Sequence, residues 1–438
     1  MKKGPPTSRL RRAFDLARVG AQAGAAWATR KGTEAAAEHT AEVLGNLRGM
    51  AAKIGQTASY VEGIVPQEQR AAYEKALAAL RDKTPASPYA QVEQTLQEDL
   101  GQSPAQLFSA FEQAPVASAS IGQVHRAQLL DGTPVAVKVQ HKGIDKAFEA
   151  DLKNINMLEG LINLAGPSAL QTADLLEEVL LRFRQELNYN IEANNQRAFA
   201  SLHGSSQFPT IRVPKVHPEL SSRHILTTDW ADGMSWEQAC KQPEPIRRSY
   251  AETLWLFVFR GNLVGGAFNA DPHPGNYVFS PDGGVNFLDF GCVQPIAEST
   301  RQAAVRAHRA VLDGDEDRYE QAIASMLGTR GGAFGKATLN YTRLCFKPVL
   351  SQRFCLDANY IKELTQEART LKQAMRAKDG SFVSPPPHLA LMNRLQFGFY
   401  SVISRLNVAV DYRAVEESFL AEAESVEQGL IRQQVSRQ

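Results

Sequence analysis

Apolar positions along this chain change period several times, and each change predicts a different element. From Ala35 to Leu107 they recur at helical spacing, broken at Gly45, Pro66, the Pro85 to Pro88 segment and Gly101, which predicts several helices in succession. The period then falls to two. Val124 to Leu130, the dipeptide Asp131-Gly132 and Pro134 to Gln140 predict two antiparallel strands joined by a tight turn. Helical spacing returns after Ile144, and Leu176, Leu180, Phe183, Leu187 and Ile191 predict one apolar face on a long helix. His224 to Asp229 reads as another strand. Beyond Glu237 the pattern is helical except from Asn269 to Gly291, and Ser384-Pro-Pro-Pro387 marks a linker before a last helical pair. No internal repeat is present. The order predicts an α+β protein with a helical extension over residues 1–106, a strand-bearing domain over 107–228 and a helical domain over 229–438.

Composition narrows the function classes. The 438 residues are 43% hydrophobic and 22% charged, which excludes a mostly disordered, collagenous or coiled-coil chain. With 48 basic against 47 acidic side chains there is no overall basic excess to track a phosphate backbone, so nucleic acid is not an expected partner. The four cysteines, Cys240, Cys292, Cys345 and Cys355, form no C-x-x-C pair, which disfavours zinc and disulfides and fits a reducing cytoplasm. The most apolar run, Leu254 to Phe259, stops at Arg260, far short of the ~18 residues a spanning helix needs, and no signal peptide is read. Localisation is expected to be cytoplasmic, with peripheral membrane contact as an addition. That addition comes from the start of the chain, where Lys2, Lys3, Arg9, Arg11, Arg12, Arg18, Arg30 and Lys31 face Asp15 alone. If residues 8–29 are helical, Leu10, Phe14, Ala17, Ala21 and Ala25 form a weak apolar stripe beside the basic positions. Two readings stand: a helix lying on an anionic membrane, or an alanine-rich helix docked on its own domain, which the shortage of large apolar residues favours.

Candidate chemistry gathers in the loop-rich stretch. Asp271-Pro-His-Pro-Gly-Asn276 places an Asp five positions before an Asn, the offset of a kinase catalytic loop, and Leu288-Asp289-Phe290-Gly291 supplies the D-F-G whose Asp holds magnesium on phosphates. Between them, Tyr277 to Ser280, Asp282-Gly-Gly284 and Val285 to Leu288 predict a strand, turn and strand that return the carboxylate beside the loop. Asp-Pro and Pro-Gly alone would be turn chemistry. The ordered pair says more. Val135-Ala-Val-Lys138 matches the V-A-x-K strand that offers a lysine to nucleotide phosphates, and a helix glutamate is its expected partner: Glu192, with Glu186 and Glu178 as competitors. Where a protein kinase has a glycine-rich loop, this chain has Ala117-Ser118-Ala119-Ser120 leading into the first hairpin strand. Side chains there limit φ and how closely backbone N–H groups approach phosphates, so nucleotide pose or selectivity is expected to differ. His273 is expected to position its loop rather than act as a base, and Cys292 to be a small buried residue.

These residues, together with Lys53-Ile-Gly-Gln56, Ala117 to His125, Val135 to Gln140, Glu186-Leu-Asn-Tyr189 and Glu192-Ala-Asn-Asn195, resemble the UbiB-type (aarF-domain) atypical kinase-like family. The resemblance covers about residues 40–300 in family order. It implies a two-lobed kinase-like fold with an N-terminal helical extension, a link to ubiquinone biosynthesis and lipid homeostasis, and ATP with Mg²⁺ or Mn²⁺ as cofactors. Carried over by position, it implies that Lys138 contacts the α and β phosphates and pairs with Glu192, that Asn276 and Asp289 hold the metal, and that Asp271 is the catalytic-loop Asp. The K-x-G-Q segment, with Lys53, Gly55 and Gln56, resembles the family's insert over the place where a protein substrate would dock, with Lys53 tied to Glu186. One departure is Asn188, where the family usually has a second acid after Glu186. On an ideal helix Asn188 would share a face with Glu192, while Glu186 would lie about 120° away. No counterpart is read here for the C-terminal transmembrane segment found in some members, a second departure, so membrane residence is expected to rest on the N-terminal helix or on a partner, with quinone-biosynthesis proteins as candidate partners.

Three functions follow as expectations. The first is Mg-ATP binding with hydrolysis or phosphate transfer to a small or lipid-related acceptor, with Asp271 orienting water or a hydroxyl. The second is a small-molecule kinase of the aminoglycoside or choline type, against which Lys53 to Gln56 and the alanine-rich loop argue. The third is a non-catalytic scaffold that uses nucleotide as a conformational ligand, a reading that Asn188 keeps open.

Overall fold

The computed structural model describes residues 86–119, 121–146, 184–204, 206–375, 377, 379–383, 398–426 and 428–431. The basic N-terminal helix, Lys53 to Gln56, Ser120, Leu176 to Phe183 with Glu178, and the Ser384 to Pro387 linker lie outside them. The chain divides into two compact units, one of residues 1–191 with 217–230, the other of 192–216 with 231–438. Residues 192–216 therefore group with the later helices rather than with the strands on either side of them in sequence.

The first unit carries helices α1 (Tyr89–Leu100) and α2 (Pro104–Leu107) and the strands β1 (Ala110–Phe111), β2 (Ala117–Ser118), β3 (Gly122–Gln128), β4 (Pro134–Gln140) and β6 (Ile225–Asp229). The sheet runs β1-β3-β4-β6, all antiparallel, with β2 also on β3. Alternation in β4 decides its faces. Val135, Val137 and Val139 are almost fully buried against Val92 and Leu96 of α1 and Phe108, while Ala136 and Lys138 point to the other face. Burying each valine contributes roughly 1.5 kcal/mol or more, so a charge at Val137 would break this sheet first.

The hairpin turn is longer than the expected tight turn. β3 ends at Gln128, and residues 129–133 form the loop, closed by Leu129 N–H donating to Thr133 O at 2.9 Å. Asp131 Oδ1 accepts from Thr133 N–H at 2.9 Å and Gly132 takes φ 87°, so an Asx turn replaces the two-residue connection. The predicted long helix also differs. Residues 184–186 are helical, the chain leaves the helix at Leu187 and Asn188, and α3 (Tyr189–His203) starts afresh. Ile191, expected on the apolar face, is exposed.

The second unit begins within α3, which lies in both units, and contains β5 (Ile211–Arg212), α4 (Trp236–Ala239), α5 (Glu244–Arg260), β7 (Ala267–Asn269), β8 (Tyr277–Phe279), β9 (Val285–Phe287) and β10 (Val293–Pro295). It continues through α6 (Glu298–Asp313), α7 (Glu316–Leu327), α8 (Gly332–Leu350), β11 (Phe354–Cys355), α9 (Ala358–Ala374), β12 (Ala409–Val410) and α10 (Tyr412–Ser425). Helix α5 is its centre: Tyr250, Leu254, Trp255 and Phe257 are buried, and the Phe257 ring stacks on Phe287 with centroids 3.6 Å apart. The helix does not stop at Arg260. It widens into a π-helical turn over Gly261–Gly265 and ends where Gly266 takes φ 70°. A Cβ on Gly266 would come within 2.8 Å of the Gly429 backbone, so close approach as well as φ requires glycine. Two short ribbons follow: β8 pairs with β9, and β7 pairs with β10.

Candidate active site

The second unit brings the two chemical loops together. β7 delivers Asn269, and its antiparallel partner β10 follows the D-F-G, so the ribbon ties the start of one loop to the end of the other. β8 and β9 tie the remaining ends, and Leu288 N–H donates to Asn276 O at 3.0 Å. Within the first loop, Asn276 Nδ2 donates to both the backbone oxygen and the carboxylate Oδ2 of Asp271, each at 3.2 Å. Its amide oxygen is thereby the atom turned to accept. His273 accepts from Gly275 N–H at 3.0 Å through Nδ1, which shapes the loop as expected, and Pro272 sits where a Cβ on Gly398 would be 3.0 Å away. Tyr277 next to the loop is buried, and burial with the nearby Asp271 carboxylate pushes its phenol well above the ordinary range, keeping it neutral.

Asp289 sits in a tight turn, with Oδ1 accepting from Gly291 N–H at 2.9 Å. A Cβ on Gly291 would lie 3.2 Å from that oxygen and 3.6 Å from Glu192 Oε2. The Asp289 carboxylate thus lies tight against the Gly291 backbone, with the Glu192 carboxylate at ordinary contact distance beside it. Glu192 is buried in the first turn of α3, and Asn195 one turn on donates from Nδ2 to Phe290 O at 3.0 Å. The residue that sequence reasoning missed is Asn269. Its Nδ2 donates to Asp289 O at 2.5 Å, and its Oδ1 accepts from Asp271 N–H at 3.3 Å, so one side chain fastens both loops. An Asn at the entry to a loop was the signal available. Cys292, expected to be buried, is partly buried against the core, and its carbonyl accepts from Ala270 N–H at 2.8 Å.

The first unit holds the remaining candidates. Lys138 lies mid-strand, registered with Val124 of β3 and Leu226 of β6, on the face opposite the valines. Its ammonium stands 5.0 Å from the centroid of the Tyr189 ring, a cation–π distance. Ala117 and Ser118 form β2, and Ala119 N–H donates to Gly122 O at 2.7 Å, closing a narrow hairpin onto β3. That hairpin is latched by residues the motifs did not single out. His141 Nε2 pairs with Ala119 O at 3.1 Å and its Nδ1 with Ser87 Oγ at 2.8 Å, while Ser87 N–H donates to Gln123 Oε1 at 2.6 Å. Glu186 is buried. Asn188 stands outside the helix on which it was expected to share a face with Glu192: its Oδ1 accepts from Asn190 N–H at 3.2 Å, at the start of α3. Asn and Asp serve equally at such a position, so the missing acid leaves the local fold intact.

The donor set in the second unit fits a hard divalent cation. Asp289 offers a carboxylate and Asn276 an amide oxygen, the kind of oxygen ligands Mg²⁺ takes when substrate phosphates supply the rest. Among the described residues no three His, Cys, Asp or Glu side chains gather into a metal set of their own.

A lysine on the V-A-x-K strand and the ordered Asp271, Asn276 and Asp289 belong to a protein-kinase-like α+β fold. A family model for the ABC1 atypical kinase-like domain matches residues 79–323, and the chain belongs to that family, the UbiB-type atypical kinases. The chain is similar to an uncharacterized protein of Synechocystis, 32% identical over 67% of this chain and 74% of the other. It is 30% identical to the AarF domain-containing protein kinase 1 of Xenopus laevis over 64% of this chain, spanning about half (54%) of that relative. Atypical kinase COQ8B of rat mitochondria is 27% identical over 87% of this chain and 71% of its own length. Among solved structures, the Rv3197–erythromycin complex of Mycobacterium tuberculosis superposes with a TM-score of 0.62 at 28% identity, covering 86% of this chain and 93% of that one. Among the described residues no helix is long and apolar enough to cross a membrane.

Proposed function

We propose that this protein binds Mg-ATP and either hydrolyses it or transfers phosphate to a small or lipid-related acceptor, in support of isoprenoid-quinone metabolism. The observation that carries the reading is the fastening of Asp271, Asn276 and Asp289 into one hydrogen-bonded group by the amides of Asn276 and Asn269. Asn276 and Asp289 would hold the metal, which supplies charge neutralisation on the phosphates when bound. Lys138 would add positive charge to the α and β phosphates and pair with Glu192. Ala117, Ser118, Ala119 and Ser120 would contact the nucleotide. Asp271, its carboxylate oriented by Asn276 Nδ2, would hold a water or hydroxyl for in-line attack and draw its proton. Catalysis of this kind is positioning and electrostatics, which the amide fastening favours. Lys53, Gly55, Gln56, Glu186 and Asn188 would regulate access, and contact with anionic membrane through the N-terminal basic helix or with quinone-biosynthesis proteins completes the proposal. The quinone and membrane parts rest on the family resemblance alone.

The decisive experiment is thermal unfolding with and without Mg-ATP for the native chain and Asp289→Asn. Ligand at a hundred times its dissociation constant stabilises by about 2.7 kcal/mol, so a metal-dependent rise that the substitution removes is expected. No rise at millimolar nucleotide in a folded native chain would overturn the reading. Turnover with and without anionic liposomes then separates an enzyme from a scaffold.

A further inference from the structure

We propose that Tyr189 is a positioning residue of the nucleotide site, its ring face holding the Lys138 ammonium in place for phosphate, a role that rests on the Mg-ATP reading above. Tyr189 is fully buried at the start of α3, and its N–H donates to Arg223 O at 2.9 Å, two residues before β6 begins. The Lys138 ammonium lies over the ring, 5.0 Å from its centroid, with all three residues in the first unit. A ring face attracts an ammonium within about 6 Å, an effect of about 2- to 5-fold on the equilibrium at an exposed site and about 30-fold at a desolvated one.

Lys138 needs such a support because the ladder stops at its backbone. Pairing with Val124 and Leu226 fixes the face to which the side chain points, but a flexible four-carbon stem separates that backbone from the charge. A carboxylate such as Glu192 would hold the ammonium and also cancel part of its charge. A neutral ring holds it and leaves the whole charge for phosphate. The ring in turn has its place set by the strand next door. A Cβ on Gly122 would lie 2.6 Å from both the Tyr189 hydroxyl and Val139 O, so glycine leaves the room that the phenol occupies. Gly122 opens β3, and its carbonyl accepts from the N–H of Ala119, one of the residues proposed to contact the nucleotide, at 2.7 Å. One buried side chain therefore abuts the start of β3 and the strand lysine together.

Calorimetric titration of the full chain with Mg-ATP tests this through a double-mutant cycle. Tyr189→Leu, which removes the ring face, should weaken binding about 5-fold, and Tyr189→Phe, which keeps it, should recover affinity to within about twofold of native. In a Lys138→Met background, Tyr189→Leu should cost less than about twofold, because no ammonium remains for the ring to hold. Circular dichroism confirms that each variant folds. If Tyr189→Leu does not, or if Lys138→Met binds too weakly to titrate, Tyr189→Phe is compared with pentafluorophenylalanine at position 189. That ring keeps the shape but reverses the quadrupole, and a loss of about 5-fold is again expected. Equal losses in Tyr189→Leu and Tyr189→Phe, a loss of the same size with and without Lys138, or no loss on removing or reversing the ring face would overturn the role of Tyr189 and leave the Mg-ATP reading standing. A native chain that binds no Mg-ATP would overturn both.

Discussion

Lys138 and Asp289 are held by different means. Lys138 is placed by backbone: β4 is laddered to β3 on one side and β6 on the other, and the buried valines either side of the lysine fix which way it points. Asp289 is placed by side chains. Its carbonyl is held by Asn269, the following carbonyl by Asn195, and the loop opposite by Asn276. A ladder survives the exchange of any one outward side chain, since its bonds belong to the main chain. A loop fastened by three amides does not. The two units should therefore answer single substitutions very differently.

The largest effect is expected where fastening and chemistry coincide. Asp271→Asn keeps the shape but replaces the acceptor of the Asn276 amide, and steady-state turnover should fall about 10²–10⁴-fold, as for loss of a positioned base. Mg-ATP binding, read by thermal shift, should persist. Turnover within threefold of native would remove Asp271 from the proposed chemistry. Next comes Asn269→Ala, which touches no proposed ligand but orphans Asp289 O and Asp271 N–H together, for about 2–3 kcal/mol by urea unfolding. An outward substitution on the ladder, Ala136→Ser, should stay within about 0.5 kcal/mol. Equal losses would erase the contrast between the units.

That contrast also explains what could be read in the sequence. The V-A-V-K-V alternation carries both the core and the direction of Lys138, because period two needs nothing distant. Asp271 and Asn276 were legible for the same reason: they meet inside one short loop. Asn269 was missed because its partner lies twenty residues away. The break before α3 was hidden by Leu187 and Ile191, four apart and apolar, which mimic a continuing helix stripe; the capping preference of Asn188 was the competing signal. The π-helical turn leaves no periodic trace, since Arg301 from another helix holds it open.

Histidines sharpen the comparison through pH. In the sheet unit, buried His125 has both ring nitrogens engaged, with Glu112 O at 2.8 Å and Gln123 Nε2 at 2.9 Å. In the helical unit, His203 is stacked on Phe257 and neither nitrogen has a hydrogen-bond partner among the described residues. Burial, aided by nearby Arg260, lowers its pKa from 6.5 to about 3. The unfolded chain therefore takes up a proton first as pH falls through 6.5, and the folded state loses about 1.4 kcal/mol per unit until its own value is reached. Between pH 7 and pH 5 this amounts to about 2 kcal/mol. His203→Leu should lose about 2 kcal/mol less than the native chain over that interval in urea titrations, and identical pH slopes would show that the ring is solvated after all.

A smaller effect is expected at Asn188, one of the places where the chain departs from its family. If Asn188 acts as the cap of α3, Asn188→Ala should cost about 1 kcal/mol by urea unfolding, because the N–H of Asn190 loses its acceptor. Asn188→Asp should be nearly neutral or slightly stabilising, since a carboxylate accepts the same bond and adds a favourable charge at a helix start. Were the residue instead a displaced metal ligand, Asp would tighten Mg-ATP binding well beyond its effect on stability, and Ala would weaken it. Measuring both variants by unfolding and by nucleotide titration separates the two roles: parallel small changes in stability with unchanged nucleotide affinity mark a cap, so the lost acid would be one the local backbone never needed.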